Sequence, residues 1–331
     1  MLALRRQGGQ ITLSTDEPEP TPKEGEAIVR VRIAAVTGLD LAVAHGVLAF
    51  EGTLGHSFVG TVESMPGGRR KLAGARVVVA SVCACGRCDR CAAGFTAHCR
   101  ERTIPGVIGR DGGFAERVRL PANALIPVPD EVDDDSAAFA IPLAAAIQAA
   151  QQFTIKGKPF VTVLGDGRLG LIVGQVMARL NASVRVVGRH ASKLAVCERW
   201  GLKHRHVDEV GRRADQDVVV DCTGTIEGLA TAVRLVRPRG TVVVKSLLVG
   251  RAASGALPAE ILEIIVVNEI AVVGSGAGPV PEALAMLRRK EVDVIGLISR
   301  RLPLRDGMAA LRLAGQPDTL GVLLACGEAG G

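Results

Sequence analysis

The chain has 331 residues, 48% of them hydrophobic, and a formal net charge of +6 from 40 Lys and Arg against 34 Asp and Glu. That length accommodates two domains with cores of their own. No apolar run reaches the ~18 residues of a membrane span, and Arg5 and Arg6 interrupt the N-terminus before the apolar stretch of an export signal could form. With 2% aromatics and no Tyr there is little on which to stack nucleobases. The expectation is a cytoplasmic protein with no membrane or nucleic-acid partner.

In chain order, the first elements are β-type. Val29, Val31 and Ile33 alternate with Arg30 and Arg32 as a half-buried strand does, after a lead-in carrying Pro18, Pro20 and Pro22. Short runs of the same kind follow at 60–64, 76–81, 114–120 and 124–128, punctuated by Gly and Pro. This part reads as a small β-barrel or sandwich with long loops. One loop carries Cys85, Cys88, Cys91 and Cys99 as C-x2-C-x2-C-x7-C. Four thiolates at that spacing can close a tetrahedron around zinc. The loop is otherwise rich in Gly and charge, and a metal supplies order that packing cannot. Four protein ligands leave no position for a substrate, so the reading is one structural Zn2+ per chain. Cys197, Cys222 and Cys326 stand in apolar or strand contexts and read as small core residues.

An Ala-rich helix is expected over 137–152, and an alternating βα pattern follows. Residues 161–170 read VTVLGDGRLG. A β-branched strand runs into Gly165-Asp166-Gly167-Arg168-Leu169-Gly170, and Ile172, Val176 and Leu180 then recur at helical spacing. This is a dinucleotide-binding fingerprint in its proper context. Gly165 permits the turn, Gly167 lets the backbone approach a pyrophosphate, and Gly170 lets helix and strand pack closely, with free N–H groups at the helix start. A strand at 183–187, a short helix at 192–200 capped by Gly201, and continuous Val-rich strands at 217–221 and 241–245 follow. A helix at 226–236 and an edge strand at 270–273 complete a doubly wound α/β unit with a parallel sheet covered on both faces. A helix at 281–289 and short β-type runs, read as a return to the first domain, lead to a Gly-rich end.

A site for NAD(H) places Asp or Glu at the end of the second strand, on the ribose hydroxyls. Here that strand ends at Gly188, followed by Arg189 and His190, with Lys193 beyond. Arg189 suits a 2′-phosphate and Lys193 adds charge, so the reading is NADP(H), with NAD(H) as the alternative.

The β-rich start, the cysteine loop and GDGRLG, with GEAIVRVR, LGHSFVGTV, VVVDCTG and LVRPRGTVVV, together resemble the medium-chain dehydrogenase/reductases, in their zinc alcohol dehydrogenase-like branch. The resemblance spans nearly the whole chain. It implies a Rossmann domain, residues 145–276, inserted in a GroES-like substrate domain, residues 1–144 and 277–331. It implies hydride transfer with a nicotinamide cofactor, a small-molecule substrate, and a homodimer or homotetramer joined through the Rossmann sheet edge. It also places Cys222, Thr223, Gly224 and Ser246 near the ribose and nicotinamide.

The departures from that family bear on mechanism. The family's catalytic zinc is usually held by a Cys, by the His of Gly-His-Glu, and by a further Cys or acid. The matching positions here are Thr37, Gly55-His56-Ser57 and, for the Glu-Pro-Leu that begins the inter-domain helix in many relatives, Ile141-Pro142-Leu143; the hydroxyl relay position is Leu39. Only His56 and Asp40 survive, and one imidazole with one carboxylate rarely holds zinc against water. A bound zinc lowers the pKa of its water from about 15.7 to about 7, worth roughly 12 kcal/mol, and a Thr hydroxyl does not replace it. One reading is therefore an oxidoreductase for a carbonyl, enone or related substrate that works without a catalytic zinc, with Thr37, Asp40 and His56 as its catalytic group. The alternative is a non-catalytic NADP(H)-binding sensor or scaffold.

Overall fold

Alternation of apolar and charged side chains makes Glu26–Ala35 the longest strand: Ala27, Val29, Val31 and Ile33 are buried while Arg30 and Arg32 face solvent. In the computed structural model, which describes residues 1–67, 72–211, 213–247 and 256–327, this strand is the middle of a seven-stranded sheet. The order is Ile298–Pro303, Gly321–Ala325, Glu26–Ala35, Ser57–Ser64, Arg76–Val79 and Leu125–Pro127, with Arg117–Pro121 also pairing to Glu26–Ala35. All pairs are antiparallel except the first, which is parallel. A small sheet of Gln10–Ser14, Ala3–Gln7 and Gly52–Thr53 completes the β structure of this unit, which comprises Met1–Ala144 and Ala277–Gly331. The Gly-rich end of the chain, 328–331, lies outside the described residues.

The second unit, Ala145–Gly276, is a six-stranded parallel sheet. Its order is Lys203–His206, Ser183–Gly188, Phe160–Leu164, Gln216–Asp221, Val236–Val244 and Ala271–Gly274. Numbered along this unit alone, the strands run third, second, first, fourth, fifth, sixth, so the order reverses between Phe160–Leu164 and Gln216–Asp221. Such a reversal opens the crevice in which doubly wound sheets bind dinucleotides. The Val runs are covered on both faces of the sheet: Val161, Val163, Val219, Val220, Val242 and Val243 are fully buried, each contributing about 1.5–3 kcal/mol. Among the described residues no helix is long and apolar enough to cross a membrane.

Several expected elements differ in detail. Lys203–His206 forms a strand despite its KHRH sequence, because it is the sheet's edge and alternates between exposed and half-buried positions. The helix expected over 192–200 is two short ones, Ala191–Leu194 and Val196–Arg199. The segment at 137–152 divides into Asp134–Ala137, whose first turn is capped by Asp133 on the Ser136 N–H, and Ala140–Ala150. The helix from Ile226 ends at Leu235, and the next strand begins at once with Val236.

Gly170 fixes how the first strand of the parallel sheet meets its helix, Arg168–Ala178. A Cβ added there would stand 2.0 Å from the carbonyl oxygen of Gly165. Backbone cannot give way as a side-chain tip can, so Gly170→Ala is expected to destabilise the protein by about 1–3 kcal/mol. Urea denaturation measures this; an unchanged midpoint would show that the helix can retreat at no cost.

Candidate functional site

Asp40 organises the first group of predicted residues. It is the third residue of the helix Gly38–Ala44, and with Thr37 it forms a capping box. Its carboxylate, fully buried, accepts four hydrogen bonds: from Thr37 N at 2.7 Å and Thr37 Oγ1 at 2.6 Å on Oδ2, and from Gly55 N at 3.1 Å and His56 N at 3.0 Å on Oδ1. The Gly55 carbonyl is held in turn by the N–H of Gly113. The bend carrying His56 is thus gripped from both sides.

Two sequence expectations change here. Asp40 meets His56 at its backbone N–H, and the carboxylate is occupied in anchoring a loop, so it has no hydrogen bond to the imidazole. Thr37 Oγ1 donates its only proton to a carboxylate that can only accept, so the hydroxyl offers lone pairs to its other side and is no proton donor. His56 is buried with Nδ1 lacking any partner among the described residues. Burial pushes the imidazole pKa down, against the opposing charge of Asp40 and a hydrogen bond to the Pro105 carbonyl. With Nδ1 free, that bond belongs to Nε2–H, and the neutral ring presents Nδ1 as a bare acceptor. Ser57 Oγ donates to the Ala138 carbonyl at 2.7 Å, and Ile141 is buried.

The glycine turn forms the second group. Gly165 has φ +119°, and Gly167 caps the helix Arg168–Ala178 with no side-chain hydrogen bond. Nothing lies within 4 Å of a Cβ built on Gly167, which leaves open approach to the backbone beside uncapped helix N–H groups. Leu169 sits with Arg168 in that first turn. Asp166 points away from it: Oδ2 accepts from Arg189 N at 2.7 Å and His190 N at 2.6 Å, and Oδ1 lies 3.0 Å from His190 Nδ1. Gly188 packs against this side chain. Arg189 is exposed, and no carboxylate among the described residues pairs with it. Lys193, expected beside it, is buried at 7% exposure and does not present its ammonium to solvent in the same way.

At the ends of the fourth and fifth parallel strands, Thr223 donates from N and Oγ1 to Asp221 Oδ1, at 2.9 and 2.7 Å. Gly224 follows with φ +67°. Burial raises the pKa of both Asp221 and Cys222. Ser246 lies just beyond the strand end at Val244. Two functional candidates escaped the sequence reading. Lys245 Nζ donates to the Ser275 and Gly276 carbonyls at 3.0 and 2.7 Å, and burial pulls its pKa to about 8; the only signal was a charge closing a Val run. His206 Nε2 lies 3.0 Å from the Arg189 carbonyl, a contact without a local sequence signature.

The four loop cysteines converge. Their sulfurs all lie within 4.8 Å of one another, with Cys88 at 3.6 Å from Cys91 and 3.8 Å from Cys99, and Cys85 at 4.0 Å from Cys91. A regular tetrahedron with Zn–S arms of ~2.3 Å has edges of ~3.8 Å. Backbone N–H groups of Arg87 and Cys88 lower the Cys85 pKa, and those of Arg100 and Cys91 lower Cys88 to about 6. Desolvation moves Cys91 the other way, to about 12. Spacing and N–H donors suit a thiolate-bound metal. Among the described residues this is the one group of three or more His, Cys, Asp or Glu side chains able to hold an ion.

Residues 23–130 match the profile of the alcohol dehydrogenase GroES-like domain, and residues 169–289 that of a zinc-binding dehydrogenase. The chain is 27% identical over 328 residues to a sorbitol dehydrogenase of Halalkalibacterium halodurans, covering 93% of this chain and 94% of that protein. It is 30% identical over 252 residues to an L-threonine 3-dehydrogenase of Sinorhizobium medicae, covering 73% and 67%. Among solved structures it is similar to a protein of Sinorhizobium meliloti 1021 described as a zinc-binding dehydrogenase bound to NADP, with TM-score 0.85, 29% identity and 98% of both chains covered. A thermostable alcohol dehydrogenase from Pyrobaculum aerophilum gives TM-score 0.85 at 26% identity, covering 98% of this chain and 99% of that one.

Asp40→Ala strands three backbone N–H groups that now bond to a buried carboxylate. Each costs about 1–3 kcal/mol when left unmet, so stability should fall by about 3 kcal/mol or more. Chemical denaturation reads this directly, and a loss under about 1 kcal/mol would mean that the loop holds itself.

Proposed function

The chain belongs to the zinc-type alcohol dehydrogenase-like family of medium-chain dehydrogenase/reductases, and on that premise we propose that it is an NADP(H)-dependent oxidoreductase for a small carbonyl, enone or related substrate, carrying zinc only at the cysteine cluster. The observation that carries this reading is the hydrogen bonding around Asp40. The family's cysteine ligand position is a Thr hydroxyl already committed to Asp40, the Asp40 carboxylate is saturated by four donors, and the position of a third ligand is apolar Ile141. The residues that remain do not fit a catalytic zinc.

A bound nicotinamide supplies the hydride donor or acceptor. The chain's own residues do the rest. Gly167 and the first N–H groups of the Arg168–Ala178 helix would hold the pyrophosphate, and Arg189 the 2′-phosphate. His56 presents Nδ1 as an acceptor fixed by its backbone clamp and by Pro105. Neutral, it takes the proton of a substrate hydroxyl; protonated, it donates to a carbonyl oxygen as negative charge develops. Thr37 Oγ1 adds an acceptor and orients. Cys85, Cys88, Cys91 and Cys99 would hold a zinc that cross-links their loop and leaves no coordination site for substrate. Exposed Val266, Val267 and Val272, on the helix Ala259–Val267 and the sheet's edge strand, support self-association into a homodimer or homotetramer.

Purified protein is expected to carry one zinc per chain by elemental analysis and to oxidise NADPH faster with α,β-unsaturated carbonyls than with simple ketones. Two zincs per chain, or a preference for simple ketones, would sink the zinc-free assignment, and tight NADPH binding without turnover of any substrate would favour a sensor. Arg189→Ala should weaken NADPH about ten- to a hundredfold and NADH less than about twofold; equal effects on both coenzymes would refute the NADP(H) assignment.

A further inference from the structure

The second residue of a glycine-turn fingerprint is an open choice as far as the turn itself is concerned. Here it is Asp166, and its carboxylate reaches across to the end of the neighbouring strand. The side chain is 9% exposed. It accepts from the N–H groups of Arg189 and His190, at 2.7 and 2.6 Å, and from His190 Nδ1 at 3.0 Å. A carboxylate only accepts, so Nδ1 carries the proton. On the opposite side, His206 Nε2 donates to the Arg189 carbonyl at 3.0 Å. The backbone of Arg189 is therefore held at both its N–H and its C=O, and only its side chain is free to move.

Gly188 shows where the carboxylate sits. A Cβ built on it would stand 2.3 Å from Asp166 Cβ. Asp166 thus fills the space that a side chain at the end of the second strand would claim, the place where an NAD-type site carries its ribose-binding acid. Three donors already occupy its oxygens, and the acid is turned inward onto the bend.

Building on the NADP(H) reading, we propose that Asp166 is the specificity-positioning residue of the coenzyme site: it folds the Gly188–His190 bend so that Arg189 projects as the reader of the 2′-phosphate. A carboxylate this close to a phosphate site could also act by charge alone. That role predicts the opposite sign, because removing the charge would then tighten NADPH.

The test measures dissociation constants for NADPH and NADH, by quenching of the single tryptophan or by calorimetry, on the full chain. The variants are Asp166→Ala, Asp166→Asn, Arg189→Ala and the double variant Asp166→Ala/Arg189→Ala. Asp166→Ala is expected to weaken NADPH about tenfold or more and NADH less than about threefold. In the Arg189→Ala background it should cause no loss for NADPH beyond its small effect on NADH, because a positioning residue has nothing left to position. Asp166→Asn, nearly isosteric, carries the test if the alanine variant does not fold, with a selective loss of at least about threefold expected. Tighter NADPH binding, an equal loss for both coenzymes, or full additivity in the double variant overturns the proposal. Equal effects of Arg189→Ala on both coenzymes remove its premise, whereas a selective Arg189→Ala with an unselective Asp166→Ala overturns this inference alone.

Discussion

A buried carboxylate that accepts hydrogen bonds from two consecutive backbone N–H groups anchors a bend in each of the two units. Asp40 does this to Gly55 and His56, and Asp166 does it to Arg189 and His190. Consecutive N–H groups converge on one acceptor only where the chain bends sharply, so the carboxylate selects the bend as well as stabilising it. Hydrogen bonds to a charged group contribute about 1.5–3 kcal/mol each, and burial raises the cost of leaving either partner unpaired. The side chains on each bend, His56 in one unit and Arg189 with His190 in the other, then take directions that rotamer freedom alone would not choose.

Asp40 ties together two segments of the first unit, its own helix start and the bend at Gly55 and His56. In the Thr37–Asp40 box the carboxylate and the Thr37 hydroxyl proton are taken up by helix capping and loop anchoring, while the hydroxyl keeps a lone pair on its other side. On these two segments His56 Nδ1 is the buried side-chain polar atom without a hydrogen-bond partner among the described residues. The cysteine cluster is a separate arrangement in its own loop, with its own N–H donors, and its fitness for a metal does not depend on what happened around Asp40.

Close backbone approaches set the cofactor turn. Gly170 brings helix and strand together, and open space above Gly167 leaves the helix start accessible. The two glycines differ: a Cβ on Gly170 would meet the chain's own backbone, whereas one on Gly167 would stand in open space. The buried Val strands beneath supply the rigidity that makes such tolerances meaningful, since packed interiors transmit small displacements rather than absorb them.

Local pattern was enough for much of this. The uninterrupted Val runs marked the parallel strands because only a sheet covered on both faces buries every residue. C-x2-C-x2-C-x7-C marked a four-thiolate cluster because its ligands are close in sequence, and GDGRLG marked the turn because its constraints are local. What the sequence could not display were contacts between distant segments. The KHRH edge strand has no hydrophobic signature, since an edge needs only its backbone partner. Asp40 looked like a catalytic partner for His56 until the fold turned its carboxylate onto a loop 15 and 16 residues away. Asp166 read as part of the dinucleotide-binding turn, and the fold carries its carboxylate to the bend after the second strand, 23 and 24 residues on. The sequence by itself determined which residues could carry charge, bind a metal or turn tightly, because those are properties of single side chains and short spacings. Only the tertiary structure decided which carboxylates are free to react and which are spent as anchors, because a hydrogen bond across the fold depends on where two remote backbones meet.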